Sequence, residues 1–142
     1  MSEATEVAVV LGAAFPTVQS VVAMETGTEQ LAELERRSWP DFEIAMVGAN
    51  PSVRLEFTGI DGLVDGWREW LTPFETYRIE IEGFEDAGDR GLILVRQIAS
   101  PRGTDAEIET PGAAVVWTRE GKLARVEFHI SRAEARRAAG LA

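Results

Sequence analysis

The sequence predicts a single α+β domain, with helices in the first third and mostly strand in the remainder. Three observations predict it. Before about residue 37 the chain carries helix-start signals ahead of apolar residues at helical spacing. Beyond Pro73 the apolar residues alternate with polar ones or run continuously, as they do in strands. Asp86-Ala87-Gly88-Asp89 and Glu120-Gly121 then provide two hairpin turns to pair those strands. The 142 residues suit one compact domain, without repeats, low-complexity tracts or a long linker.

The elements follow in order. Residues Val7 to Ala14 are open between helix and strand, because their periodicity does not decide. The apolar stretch Val7 to Met24 is preceded by Glu3 and Glu6, where a secretory signal would carry Lys or Arg. Pro16, Thr17, Gln19 and Ser20 interrupt it, so it lacks the run of about 20 apolar residues that a membrane span needs. It reads as a buried N-terminal helix of a cytoplasmic protein. Pro16 opens a helix with Val18, Val21 and Val22 on one face. Gly27 breaks the chain, and Thr26 with Glu29 makes a capping box for a second helix running to about Arg37. From Asp41 to Val47 a strand alternates Phe42, Ile44 and Met46 against Asp41, Glu43 and Ala45. Gly48 to Pro51 is a loop. Thr58 and Asp61 start a helix whose Leu63, Trp67, Trp70 and Leu71 form a core stripe, and Pro73 ends it.

Counting back from the turns assigns faces to the strands. In the first hairpin Glu85 opposes Arg90, Ile81 opposes Leu94 and Ile79 opposes Arg96. One face then holds Tyr77, Ile79, Ile81, Leu92, Leu94 and Ile98, with Arg96 as its single exception. Arg78, Glu80, Glu82 and Gln97 form a wet face. In the second hairpin Arg119 opposes Lys122, Trp117 opposes Ala124, Val115 opposes Val126 and Ala113 opposes Phe128. Glu127 and His129 fall on the other face, which this register places outside. A one-residue slip in either turn reverses these assignments. Ser131 and Glu134 cap a short terminal helix carrying Arg136 and Arg137.

Composition excludes several chemistries. The chain has no Cys, so it has no thiol nucleophile, disulfide or Cys–metal site. One His removes any multi-His metal site within one chain. A formal net charge of −10 argues against nucleic-acid and anionic-membrane partners. No cofactor is expected.

The element order, and the stretches Gly27 through Pro40-Asp41-Phe42-Glu43, Gly66-Trp67-Arg68-Glu69-Trp70-Leu71, Asp86 through Gln97, and Val116 through Phe128, resemble the SnoaL-like branch of the nuclear transport factor 2-like superfamily. The resemblance spans about residues 16 to 142; residues 1–15 have no counterpart in it. It implies N-terminal helices packed on a strongly curved antiparallel β-sheet that forms a cone-shaped pocket. It also implies a homodimer through the outer sheet face. Members include polyketide cyclases, ketosteroid isomerases, epoxide hydrolases, dehydratases and non-catalytic binding domains, so the fold alone names no chemistry. The isomerase base position falls near Val47. The acid/base Asp of SnoaL-type cyclases falls on Phe128 and the accompanying His on Val126, so neither proton-transfer role carries over.

The residues left to carry chemistry are few. Arg96, alone on an apolar face, needs a carboxylate partner such as Asp41 or Glu43, water, or an acidic ligand held in bidentate fashion. His129 with Glu127 makes an oriented imidazole, and Asp41 or Glu43 is a second source of a base. Trp67, Trp70, Phe74, Tyr77, Trp117 and Phe128 supply apolar and aromatic wall for a small apolar or acidic molecule. The expectation is a small-molecule-binding domain anchored by Arg96. Its competitors are a cofactor-independent cyclase, isomerase or dehydratase on a polyketide- or steroid-like substrate, with Asp41 or His129 as the displaced acid/base, and a structural module with a filled cavity.

Overall fold

Strands that are apolar on both faces need cover on both sides, and the chain provides it with helices from its two ends. A computed structural model describes residues 3–13, 29–48 and 54–141. Its elements are α1 (Glu3–Ala13), α2 (Glu29–Arg36), β1 (Ser38–Val47), β2 (Arg54–Thr58), α3 (Gly59–Leu71), β3 (Phe74–Asp86), β4 (Arg90–Pro101), β5 (Ile108–Arg119), β6 (Lys122–His129) and α4 (Arg132–Ala138). The helix expected after Pro16, its Val18, Val21 and Val22 face, the Thr26 cap and most of the Gly48–Pro51 loop lie outside the described residues. Among the described residues no helix is long and apolar enough to cross a membrane.

The strands form one curved, unclosed six-stranded sheet in the order β2-β1-β6-β5-β4-β3. Every neighbouring pair is antiparallel except β1 and β6, which run parallel. The short β2, not anticipated from sequence, returns along β1 with Glu43 beside Thr58 and Val47 beside Arg54. Glu120 and Gly121 both have positive φ (52° and 78°), the geometry that lets a two-residue turn follow the strand twist.

The ambiguous N-terminal stretch is helical. Its Val7, Ala8 and Leu11 join Phe42, Ile44, Met46, Leu63, Trp67, Ile93, Val116 and Val126 in the main core on the inner sheet face. Gly91 permits this approach, because a Cβ there would stand 3.0 Å from the carbonyl oxygen of Ala4. On the outer face, Leu92, Ala113 and Val115 are covered by Ala135 and Ala139 near α4. The expected cap is present: the Ser131 hydroxyl accepts the Glu134 N–H at 3.3 Å.

Both hairpins turn where the sequence places them, but the expected registers are corrected. The first hairpin starts with Asp86 beside Gly91, and β3 shifts register between Ile81 and Gly83. Ile79 therefore lies beside Gln97 rather than Arg96. The second starts with Arg119 beside Lys122 as expected, then shifts so that Trp117 lies beside Arg125, Val115 beside Glu127 and Ala114 beside Phe128. Each shift is the extra residue of a β-bulge, and one residue exchanges the two faces of a strand.

Arg132 ties these strands to α4. Its guanidinium donates to the Gly112 carbonyl at 3.1 Å and the Val95 carbonyl at 2.7 Å, and pairs with Glu82. Arg132→Ala should lower the unfolding free energy by about 1–3 kcal/mol in urea titrations. Amide exchange should rise first over residues 132–138.

Candidate ligand pocket

One face of α3 and the inner sheet face enclose a small aromatic cavity. It is lined by Trp67 and Trp70 of α3, Tyr77 and Ile79 of β3, Val95 and Gln97 of β4, Ala113 and Ala114 of β5, and Phe128 and His129 of β6. Spacing along α3 turns both indoles toward the sheet. The Trp67 ring meets Phe128 edge-on, 4.9 Å between centroids, and lies 6.2 Å from Tyr77. The cavity volume is about 20 Å³, room for one or two waters.

Its polar wall is a relay of three side chains. The Trp70 indole N–H donates to the Tyr77 hydroxyl at 3.3 Å, and that hydroxyl donates to Gln97 Oε1. Burial pushes the Tyr77 phenol well above its ordinary pKa, against a smaller opposing effect of the indole bond, so it remains a donor at neutral pH. A Cβ on Gly112 would stand 2.6 Å from Gln97 Nε2 and 3.0 Å from the His129 carbonyl oxygen. The bare glycine thus makes room for the amide.

The structure brings together Trp67, Trp70, Tyr77 and Phe128, and Phe74 packs behind Tyr77 at 5.3 Å between rings. Phe128 puts a ring into the pocket at the position where the resemblance aligns a cyclase's acid/base Asp. Three expected members lie elsewhere. Arg96 is outside the cavity on the other sheet face, its side chain 45% exposed and paired with Glu82 at 3.2 Å and Glu109 at 3.4 Å. β4 simply alternates, with Ile93, Val95 and Gln97 inward and Arg96 outward, and the β3 bulge is what sets Tyr77 and Ile79 on the Gln97 face rather than the Arg96 face. Trp117 is also on the outer face with Ala113 and Val115, within 6.0 Å of the Arg90 and Arg125 guanidinium carbons, and the β6 bulge sets Arg125 and Glu127 rather than Val126 and Phe128 on that face. Asp41 is exposed and absent from the lining described.

His129 borders the pocket, while its ring is turned to Glu127, with Nε2 2.9 Å from Oε1. Its Nδ1 is buried without a hydrogen-bond partner among the described residues. Arg125 grips the other Glu127 oxygen at 2.8 and 3.0 Å and also faces Glu43 and Glu56. Burial alone would raise the Glu127 carboxyl, but the hydrogen bonds and charges of His129 and Arg125 outweigh it and hold the pKa at about 2. Glu43 stays exposed as one of Arg125's partners. Among the described residues no three His, Asp or Glu side chains gather as a metal-ligand set.

Gln97 and Gly112 were missed from sequence. The register counted from the turn put Gln97 on the wet face, and the only signal for the opposite choice was the alternation Ile93, Val95, Gln97, Ala99 itself.

The SnoaL-like domain model matches residues 19–126. The chain belongs to the SnoaL-like domain family. Among solved structures, this SnoaL-like domain is similar to a protein from a Jannaschia species provisionally named a SnoaL-like polyketide cyclase. That match has a TM-score of 0.64 and 12% identity, covering 100% of this chain and 96% of the other. It is also similar to a nuclear transport factor 2-like protein of unknown function from Burkholderia pseudomallei, with a TM-score of 0.61 and 16% identity over 96% and 97% of the two chains. A third is a protein with a ketosteroid isomerase-like fold from Catenulispora acidiphila, solved with trimethylamine. It has a TM-score of 0.55 and 19% identity over 88% and 92%. These likenesses establish the fold. No curated protein matches the sequence.

Two outcomes are expected. The Glu127 carboxyl, depressed in the folded state, contributes stability that is present above the ordinary carboxylate pKa of 4.5 and is lost as pH falls from there toward about 2. Glu127→Gln should flatten that part of the stability–pH curve and cost about 2 kcal/mol at pH 7, measured by denaturant unfolding at each pH. Gly112→Ala should displace the Gln97 amide and cost about 1–3 kcal/mol as an overpacked site, with the Trp70 indole N–H resonance moving.

Proposed function

We propose that this SnoaL-like domain binds a small molecule in the aromatic cavity between α3 and the sheet. The observation that carries the reading is the convergence of Trp67, Trp70, Tyr77 and Phe128 around space that Gln97 also lines. An apolar wall with a few placed polar groups is what a small-molecule site needs. Tyr77 and Gln97 take the place expected of an Arg96 anchor. The trimethylamine held by the ketosteroid isomerase-like relative supports ligand binding as a use of this scaffold. The small volume means that anything larger than two waters displaces a side chain, and the half-buried Trp70 is the lining ring most open to solvent. A homodimer through the outer sheet face and a cytoplasmic setting belong to the same proposal.

A second reading is a cofactor-independent cyclase, isomerase or dehydratase acting on a polyketide- or steroid-like substrate. The observation that favours it is His129 at the pocket border with its Nε2 on Glu127, an arrangement that orients an imidazole. The same small volume favours a third, a structural module with a filled interior.

Toluene titrated into ¹⁵N-labelled protein should shift the indole N–H signals of Trp67 and Trp70 and the amides of Val95, Ala114 and Phe128. Phe128→Ala should tighten toluene binding while costing about 3–5 kcal/mol of stability. Binding to the Phe128→Ala protein alone would mark the wild-type interior as a filled core.

A further inference from the structure

A buried phenol has one proton to give and lone pairs with which to receive. Tyr77 receives from Trp70, because an indole N–H only donates, and gives its proton to Gln97 Oε1. Turning the Gln97 amide over would set its NH₂ against the phenol. The phenol's proton would then have no acceptor among the described residues, a costly state for a buried hydroxyl. The relay therefore fixes the amide with its nitrogen directed away from Tyr77. That nitrogen carries two N–H donors and has no acceptor among the described residues. It occupies the room that Gly112 leaves, where any Cβ would collide with it. No Lys, Arg, Asp or Glu is among the described residues lining the cavity, and the His129 ring that borders it has its Nε2 engaged by Glu127.

We propose that Gln97 Nε2 is the recognition donor of this pocket and that its ligand is a neutral, flat, mostly apolar molecule bearing a carbonyl oxygen, such as a ketone, ester or amide. The inference rests on the pocket reading above and adds the ligand's polarity to it. A carbonyl oxygen accepts what the amide offers. A carboxylate would give up its hydration among four rings for a single amide donor, and desolvating a charge without a counter-charge is far costlier than desolvating a neutral oxygen. A hydrocarbon fills the same space but leaves the amide nitrogen unpaired. Tyr77 acts as a positioning residue, through the orientation it imposes on Gln97.

Three soluble probes of similar shape separate these cases: ethylbenzene, acetophenone and benzoate, each titrated with the Trp70 indole N–H signal as readout. The acetophenone-to-ethylbenzene affinity ratio should be about tenfold higher for the wild type than for Gln97→Leu, the worth of one good hydrogen bond. Ethylbenzene should bind Gln97→Leu at least as tightly as the wild type, because no amide nitrogen is then left unpaired. Tyr77→Phe, which keeps the ring but frees the amide to turn, should give a ratio between them. Benzoate should bind more weakly than acetophenone. A ratio that survives Gln97→Leu, with ethylbenzene still bound, overturns the recognition role and leaves the pocket reading standing. Benzoate binding more tightly than acetophenone overturns the neutral ligand class. Failure of ethylbenzene to bind any of the proteins overturns the pocket reading, and this inference with it.

Discussion

The phenol proton of Tyr77 constrains the site more than any other single group. Tyr77 is buried among Trp67, Phe74 and Phe128 and cannot shed its proton at neutral pH, so the proton must find an acceptor inside the protein. Gln97 supplies it, Trp70 fills a phenol lone pair, and Gly112 keeps the space that the amide needs. Two strands and one helix thus meet at a single hydrogen-bonded line, and a third strand leaves it room. The net worth of such bonds is modest, about 1 kcal/mol each, while leaving one buried partner unmade costs more. That asymmetry is what fixes the amide's orientation.

The two faces of the sheet divide the chemistry between them. The inner face holds rings, aliphatic side chains and one neutral polar relay. The outer face holds charge: Arg96 with Glu82 and Glu109, Arg132 with Glu82, and Arg125 with Glu43, Glu56 and Glu127. Glu127 is the most buried carboxylate of this group, and its hydrogen bonds to Arg125 and His129 offset the desolvation that burial imposes. The exposed pairs add little stability singly. Arg132 differs because it also satisfies two strand carbonyls while anchoring α4.

Much of the fold was legible because local signals were strong. Phe42, Ile44 and Met46 marked the inner face of β1, Leu63, Trp67 and Leu71 marked the buried stripe of α3, and Glu120-Gly121 marked a tight turn. The site was legible only in part. Trp67, Trp70, Tyr77 and Phe128 were placed in the pocket by residue type and spacing, but Arg96 and Trp117 were assigned to the wrong face. The physical reason is that Leu92-Ile93-Leu94-Val95 and Ala113-Ala114-Val115-Val116 are covered on both sides, by α1 and the inner core on one and by α4 on the other. Such strands lose the alternation that would fix their faces, leaving the register to be counted from turns. One extra residue in β3 and one in β6 then set Tyr77 and Ile79 on the Gln97 face, and Arg125 and Glu127 on the Trp117 face. Bulges leave no clear mark in a single sequence.

The most direct measurement of the central claim is a crystal structure of the protein with acetophenone bound. The account predicts the ketone oxygen within about 2.7–3.2 Å of Gln97 Nε2, with Tyr77 still donating to Gln97 Oε1 and Arg96 still on the outer face. A ketone oxygen turned to any other group, or an Arg96 guanidinium drawn into the cavity to meet it, would contradict it.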